Sequence, residues 1–157
     1  MTEIPAKTWI YVDADACPVK AEVMRVAERH EIPVRMVSNS FMRLPDSWLI
    51  ERVVVADGPD AADNWIAERI GPDDIAITAD IPLAGRCLKA GAQAIGNTGK
   101  PFTEAGIGMA LAMRSLMQDL REAGAVRGNN PEFTRQDRST FLQALEQAVQ
   151  TIRRRKI

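Results

Sequence analysis

A chain of 157 residues suits one domain with one core, and a formal net charge of −1 supplies no global field to draw it onto nucleic acid or a membrane. Two cysteines and a single histidine, His30, argue against a disulfide framework, a zinc site and Ser-His-Asp catalysis, and a reducing cytoplasm is the expected compartment. The opening "MTEIPAKTW" has no apolar core of signal-peptide type, and no apolar run is long enough to span a bilayer, so no membrane association is expected.

In chain order, strands are predicted at 9–13 (WIYVD), 34–38 (VRMVS), 52–56 (RVVVA), 74–78 (DIAIT) and 92–95 (AQAI). Helical patterns lie between them near 18–31, 60–70 and 82–90, with a short element near 46–50. Strand–helix alternation with continuously apolar strands predicts a parallel sheet covered on both faces. Residues 104–123 carry Met109, Met113, Leu116, Met117 and Leu120 at helical spacing, a stripe expected to fill core. A Gly- and Asn-rich loop is predicted at 124–133. Thr134 and Asp137 then make a capping-box-like start to a last helix with Phe141, Leu142, Leu145, Val149 and Ile152 on its apolar face. The expected architecture is a single three-layer α/β domain, 1–157, with a mostly parallel sheet. Its core spans about 8–100, and a helical C-terminal extension covers about 104–123 and 135–154.

In an open parallel sheet, ligands gather at the carboxyl ends of the strands. Asp13 closes the first strand and Asp15 lies two residues on, so both would point the same way if the backbone stayed extended. Asp57 follows the third strand, Asp60 and Asp63 are neighbours on one helical face, and Asp80 follows the fourth strand. Singly, each of Asp15, Asp60, Asp63 and Asp80 also reads as a helix cap or first-turn acid. As a set converging on one edge, they would repel each other and lose hydration unless a cation occupied the site. An all-oxygen set without histidine or thiolate suits Mg²⁺ or Mn²⁺, which can activate water and stabilise charge on a phosphoryl group. The expected metal ligands are Asp13, Asp15, Asp60, Asp63 and Asp80, with Asp13, Asp15 and Asp80 carrying catalysis.

Asn39, in the "SNS" after the second strand, could orient a phosphate or serve only an Asx turn. Thr78 could bond a neighbouring carboxylate. Lys20 and Arg138 are further candidate substrate contacts, although an exposed lysine explains Lys20 better. Arg127, Arg135, Arg138 and the tail Arg153–Lys156 would form a basic rim for a polyanion, or simply suit a helix C-terminus. Cys17 and Cys87 are expected to pack rather than react. Aromatics make up 5% of the chain, and no base-stacking platform is visible. No Gly-rich turn follows the first strand, which argues against a dinucleotide cofactor.

"VDADACPVK", "VSNSFMRLP", "DAADNWIA", "ITADIPLA" and "FTRQDRSTFLQAL" together resemble the YaiI/YqxD family of uncharacterised bacterial proteins over nearly the whole chain. More distantly, the order of acidic motifs is similar to the PIN and NYN nuclease-like fold. That fold places one aspartate after the first strand, acidic residues in a central helix and another aspartate at a "T-x-D"-like strand end. Asp13 and Asp15 match the first motif, Asp60 and Asp63 the second, and Asp80 in "ITAD" the third. This resemblance implies a metal-dependent site that hydrolyses phosphodiesters, RNA ahead of DNA, with RNA or single-stranded nucleic acid as partner. Two rivals stand beside it. One is a haloacid-dehalogenase-like phosphatase with Asp13 as nucleophile, Asp15 as acid and Ser38 as hydroxyl. The other is a non-catalytic module that binds metal or nucleic acid.

Overall fold

A computed structural model describes residues 8–44, 47–56, 58, 60–122 and 133–155, without the side chains of 16, 114, 119, 121 and 122. Five short strands, β1 (Ile10–Asp13), β2 (Val34–Ser38), β3 (Ile50–Val54), β4 (Ile75–Ile77) and β5 (Gln93–Ile95), form one sheet in the order β3-β2-β1-β4-β5. Every pairing is parallel; Ile10 stands opposite Val34 on one side and Ile75 on the other.

The strands read as unbroken apolar runs because helices cover both faces. Ile10, Val12, Val34, Met36, Ile75, Ile77 and Ile95 point into one core with α1 (Lys20–His30) and α5 (Arg135–Arg155). Tyr11, Val37, Ala76 and Ala94 point into the other with α2 (Ala61–Arg69), α3 (Ile81–Lys89) and the start of α4 (Glu104–Glu122). Each fully buried large apolar side chain contributes roughly 1.5–3 kcal/mol, so the two layers rather than helix propensity hold the sheet. Phe141, Leu145, Ala148, Val149 and Ile152 of α5 are all buried beside α1, so α5 completes a layer.

Local signals end the helices. Glu31 takes the left-handed conformation after α1 (φ 54°), and the Ile32 N–H returns to the Ala27 carbonyl before Pro33 starts the next strand. Gly99 (φ +89°) lets the turn after β5 lie against α5; a Cβ there would stand 2.7 Å from the Thr140 carbonyl group.

Three expectations are corrected. β3 begins at Ile50, two residues earlier than predicted, because the Val34 N–H donates to the Leu49 carbonyl and draws that residue up against β2; the described part of the "short element" is therefore the approach to β3. The methionine stripe is not core filling: Met109 is 76% exposed, and Met113 and Leu116 are also exposed. α4 docks through Ile107, which lies over Gly85 of α3. Met109, two residues on, lies nearly opposite Ile107 around the helix, and Met113 and Leu116 share its outward face. Finally, the basic tail does not rim the acidic edge. α5 starts where Arg138 reaches the Pro18 carbonyl and ends where Arg153 donates to the His30 carbonyl, at the far end of α1.

Asp57, Arg127, Lys156 and the expected loop up to residue 132 lie outside the described residues. Among the described residues no helix is long and apolar enough to cross a membrane.

Candidate functional site

The chain builds the sheet outward in one direction through β1, β2 and β3, then returns to place β4 on the other side of β1. The carboxyl ends of β1 and β4 therefore adjoin at the point where strand order reverses, the place where open α/β sheets leave a crevice. Strand alternation puts Asp13 on the same face as Tyr11, under α2 and α3.

Asp13 and the β4 end are joined by one side chain. The Thr78 hydroxyl, 1% exposed, donates to Asp13 Oδ2 at 3.0 Å and accepts the Asp80 N–H at 3.0 Å. Asp80 in turn caps α3, its Oδ1 accepting the Leu83 N–H at 2.8 Å. α2 carries Asp63 close enough to the ends of β1 and β4 for its carboxyl group to feel Asp80 and Asp13. Burial, followed by the charges of Asp80 and Asp13, pushes Asp63 up to about 6. Burial also raises Asp13; the Thr78 hydrogen bond opposes that rise, and Asp80 and Asp15 add to it. Asp63 thus feels the charges of Asp80 and Asp13, and Asp13 feels that of Asp80. Among the described residues no three acidic, histidine or cysteine side chains are drawn into a closed metal-ligand set.

Asp15 does not share the direction of Asp13. The backbone leaves β1 in a 3₁₀ turn over Ala14–Ala16, so the extended geometry that would align the two stops at Asp13. Asp15 instead accepts the Asn39 N–H through Oδ2 at 2.9 Å, beyond the end of β2. Asn39 donates its Nδ2 to the Gly58 carbonyl at 3.1 Å, and its Oδ1 is buried without a hydrogen-bond partner among the described residues. Asp60 occupies the cap position of α2 but makes no side-chain cap bond; it lies exposed and adds to the charge felt by Asp63.

The remaining candidates are engaged elsewhere. Lys20 Nζ donates to the Cys17 carbonyl at 3.1 Å, closing its own helix entry. Arg138 donates to the Pro18 carbonyl at 2.9 Å, pairs with Glu22 at 3.3 Å and lies over the Phe133 ring, which ties α5 to α1. Cys17 and Cys87 are buried free thiols; burial pushes Cys17 up and Cys87 to about 12, as expected of packing residues. His30 pairs with Glu146 of α5 at 2.8 Å, far from the carboxylates.

Phe41 and Arg52 escaped the sequence reading. The ring is largely exposed, and the Arg52 guanidinium sits 4.5 Å from its centre. "SFMR" offers no signal for this, since Phe41 is the exposed member of a loop in which Met42 and Leu44 turn into the core.

Sheet order, covered faces and an acidic crevice at the switch point define a doubly wound α/β protein. The chain belongs to the uncharacterised YaiI/YqxD family, whose model matches residues 11–151. It is 62% identical over 151 residues to a UPF0178 protein of Rhodopseudomonas palustris (strain TIE-1), covering 96% of each chain. It is 61% identical to a UPF0178 protein of Parvibaculum lavamentivorans over 94% of this chain and 97% of that one. A UPF0178 protein of Rhodospirillum rubrum is 60% identical over 92% of this chain and 97% of its own length. No solved structure matches.

Proposed function

We propose that the crevice is the active site of a divalent-metal-dependent nuclease that hydrolyses phosphodiesters, RNA in preference to DNA, in the bacterial cytoplasm. The observation that carries this reading is the buried Thr78 hydroxyl that joins Asp13 to the Asp80 backbone at the switch point of the sheet, with Asp63 of α2 near enough to feel both charges. An all-oxygen donor set suits Mg²⁺ or Mn²⁺. Asp13, Asp63 and Asp80 would hold the ion, with Asp15 and Asp60 at the margin. When bound, such an ion supplies an activated water and stabilises charge on the phosphoryl group.

The chain's own residues do the positioning. Thr78 fixes the spacing of Asp13 and Asp80. Asp63 carries a proton below about pH 6 and releases it above, so a cation competes with that proton for the site. Asn39 anchors Asp15 through its backbone N–H, which donates to Asp15 Oδ2. Two free thiols suit a reducing compartment. The phosphatase rival finds less support: the Ser38 hydroxyl is bonded to the Ser40 carbonyl at 2.6 Å, and Asp15 departs from the line of Asp13.

The test is cleavage of a mixed pool of labelled RNA and single-stranded DNA in Mn²⁺, Mg²⁺ or EDTA, beside identically purified Asp80→Asn protein. Asparagine keeps the cap on α3 while removing the charge. Cleavage that needs metal and disappears in the variant is expected. Cleavage by both proteins would move the site elsewhere, and no cleavage in either ion would sink the nuclease reading in favour of a binding module.

A further inference from the structure

We propose that Arg86 binds a second, non-scissile phosphate of a nucleic-acid strand, so that the crevice takes oligonucleotides rather than small phosphodiesters; the inference rests on the crevice being a phosphodiester site. α2 and α3 cover the face of the sheet that carries Asp13, and both start at its carboxyl edge, with Asp60 and Asp80 at their cap positions. Arg86 follows Asp80 along α3. Long side chains on a helix lean toward its N-terminus, here toward the crevice. Arg86 Nη1 reaches across to α2 and donates to Asn64 Oδ1 at 2.7 Å. Asn64 is the residue after Asp63. Cys87 records the same closeness: burial raises its thiol, the Arg86 charge opposes that rise, and the Asp63 charge adds to it.

The guanidinium is held but not neutralised. Arg29, Arg35, Arg69 and Arg138 each face a carboxylate, whereas among the described residues Arg86 pairs with none. One of its N–H groups is spent on a neutral amide oxygen, which fixes the planar fork and leaves its charge to a ligand. A cation in the last turn also suits the α3 dipole, but that role needs no reach across to α2. A strand bound at the carboxylates does need such a group. An ion there would neutralise only the phosphate under attack, and its neighbours would meet exposed Asp60 at the head of α2 without compensation. The basic tail cannot help, because Arg153 lies at the far end of α1. A small phosphodiester has no second phosphate and gains nothing from Arg86.

The test measures fluorescence anisotropy of a short labelled, unstructured RNA, in EDTA so that binding is read without turnover. Arg86→Gln should weaken binding about tenfold and lower the salt dependence by about one released counterion. A DNA of the same sequence should lose as much, because a phosphate contact carries no base information. Arg86→Lys should keep the salt dependence and regain only part of the affinity, since an ammonium lacks the planar fork. Arg25→Gln removes an equal charge from the exposed side of α1, on the other face of the sheet, and should change nothing. In Mn²⁺, Arg86→Gln should raise KM for the RNA and hydrolyse bis(p-nitrophenyl) phosphate as fast as wild type. No binding by the wild-type protein, unchanged binding in Arg86→Gln, or an equal loss in Arg25→Gln would overturn the inference. The two readings fail separately. Cleavage with an unchanged KM in Arg86→Gln sinks the phosphate contact alone, whereas Arg86-dependent binding without cleavage in either ion sinks the nuclease and keeps the contact.

Discussion

Thr78 and Asp13, 65 residues apart in the chain, are joined by a 3.0 Å hydrogen bond in which the threonine hydroxyl donates to Asp13 Oδ2. The Thr78 hydroxyl oxygen also accepts the Asp80 N–H, so one buried side chain sets the relation between the aspartates that follow β1 and β4. Thr78→Val keeps the volume and removes both bonds. Unfolding in urea should show a loss of about 1–3 kcal/mol, since a half-buried carboxylate and a backbone N–H lose their partner. Metal-dependent cleavage should fall further than stability explains, and Thr78→Ser should restore both. Full turnover in the valine variant would show that the hydroxyl positions nothing.

Asp63 predicts a pH dependence opposite to the usual one for a paired aspartate. Its carboxyl group rises from 3.8 to about 6 on folding, chiefly through burial and then through Asp80 and Asp13. Between those values the folded protein binds more protons than the unfolded one, so metal-free stability should fall as pH rises through that window and stay lower above it. Asp63→Asn removes the repulsion and should stabilise the metal-free protein by about 1 kcal/mol at neutral pH, after allowance for solvent screening. Melts in EDTA across the acid range test this: wild type should gain stability on acidification where the variant changes less. Parallel curves would mean that Asp63 does not feel its neighbours.

Much of this was legible in the sequence because it rests on local rules. Apolar runs alternating with helical patterns specify a parallel sheet, and aspartates placed just after strands land at its carboxyl edge whatever the details. What was not legible depends on direction. "DADACP" does not reveal that the backbone tightens into a 3₁₀ turn after Asp13, which sends Asp15 to Asn39. Nor does "RRRK" reveal that α5 runs down along α1, carrying Arg153 to His30 and away from the crevice. The methionine pattern on α4 is genuinely helical, but helical spacing does not say which face docks: Ile107 meets α3, and Met109, Met113 and Leu116 lie on an outward face.

That exposure has a direct consequence. Met109→Gln and Met113→Gln should each alter unfolding free energy by less than about 0.5 kcal/mol, as for ordinary surface positions. A methionine filling core would lose roughly 2 kcal/mol or more on truncation. Chemical denaturation of the two variants separates these cases, and a loss of core size would mean that the stripe is covered in solution.

Two glycines should respond to alanine with opposite signs. At Gly99 the backbone has φ +89°, and the new Cβ would lie 2.7 Å from the Thr140 carbonyl group and 2.9 Å from the Phe141 nitrogen. These are backbone atoms of α5 and cannot rotate aside, so the left-handed strain adds to a rigid clash and the expected loss is about 2–4 kcal/mol. Gly108 lies within α4, with nothing within 4 Å of the position a Cβ would take. There alanine removes a helix penalty and should stabilise by up to about 1 kcal/mol. Urea unfolding of both variants reads the difference. Because α5 also carries Arg138 onto the Pro18 carbonyl, a shifted α5 in Gly99→Ala should weaken that tie as well. Adding Arg138→Ala to it should then cost less than the same change costs in the wild-type background.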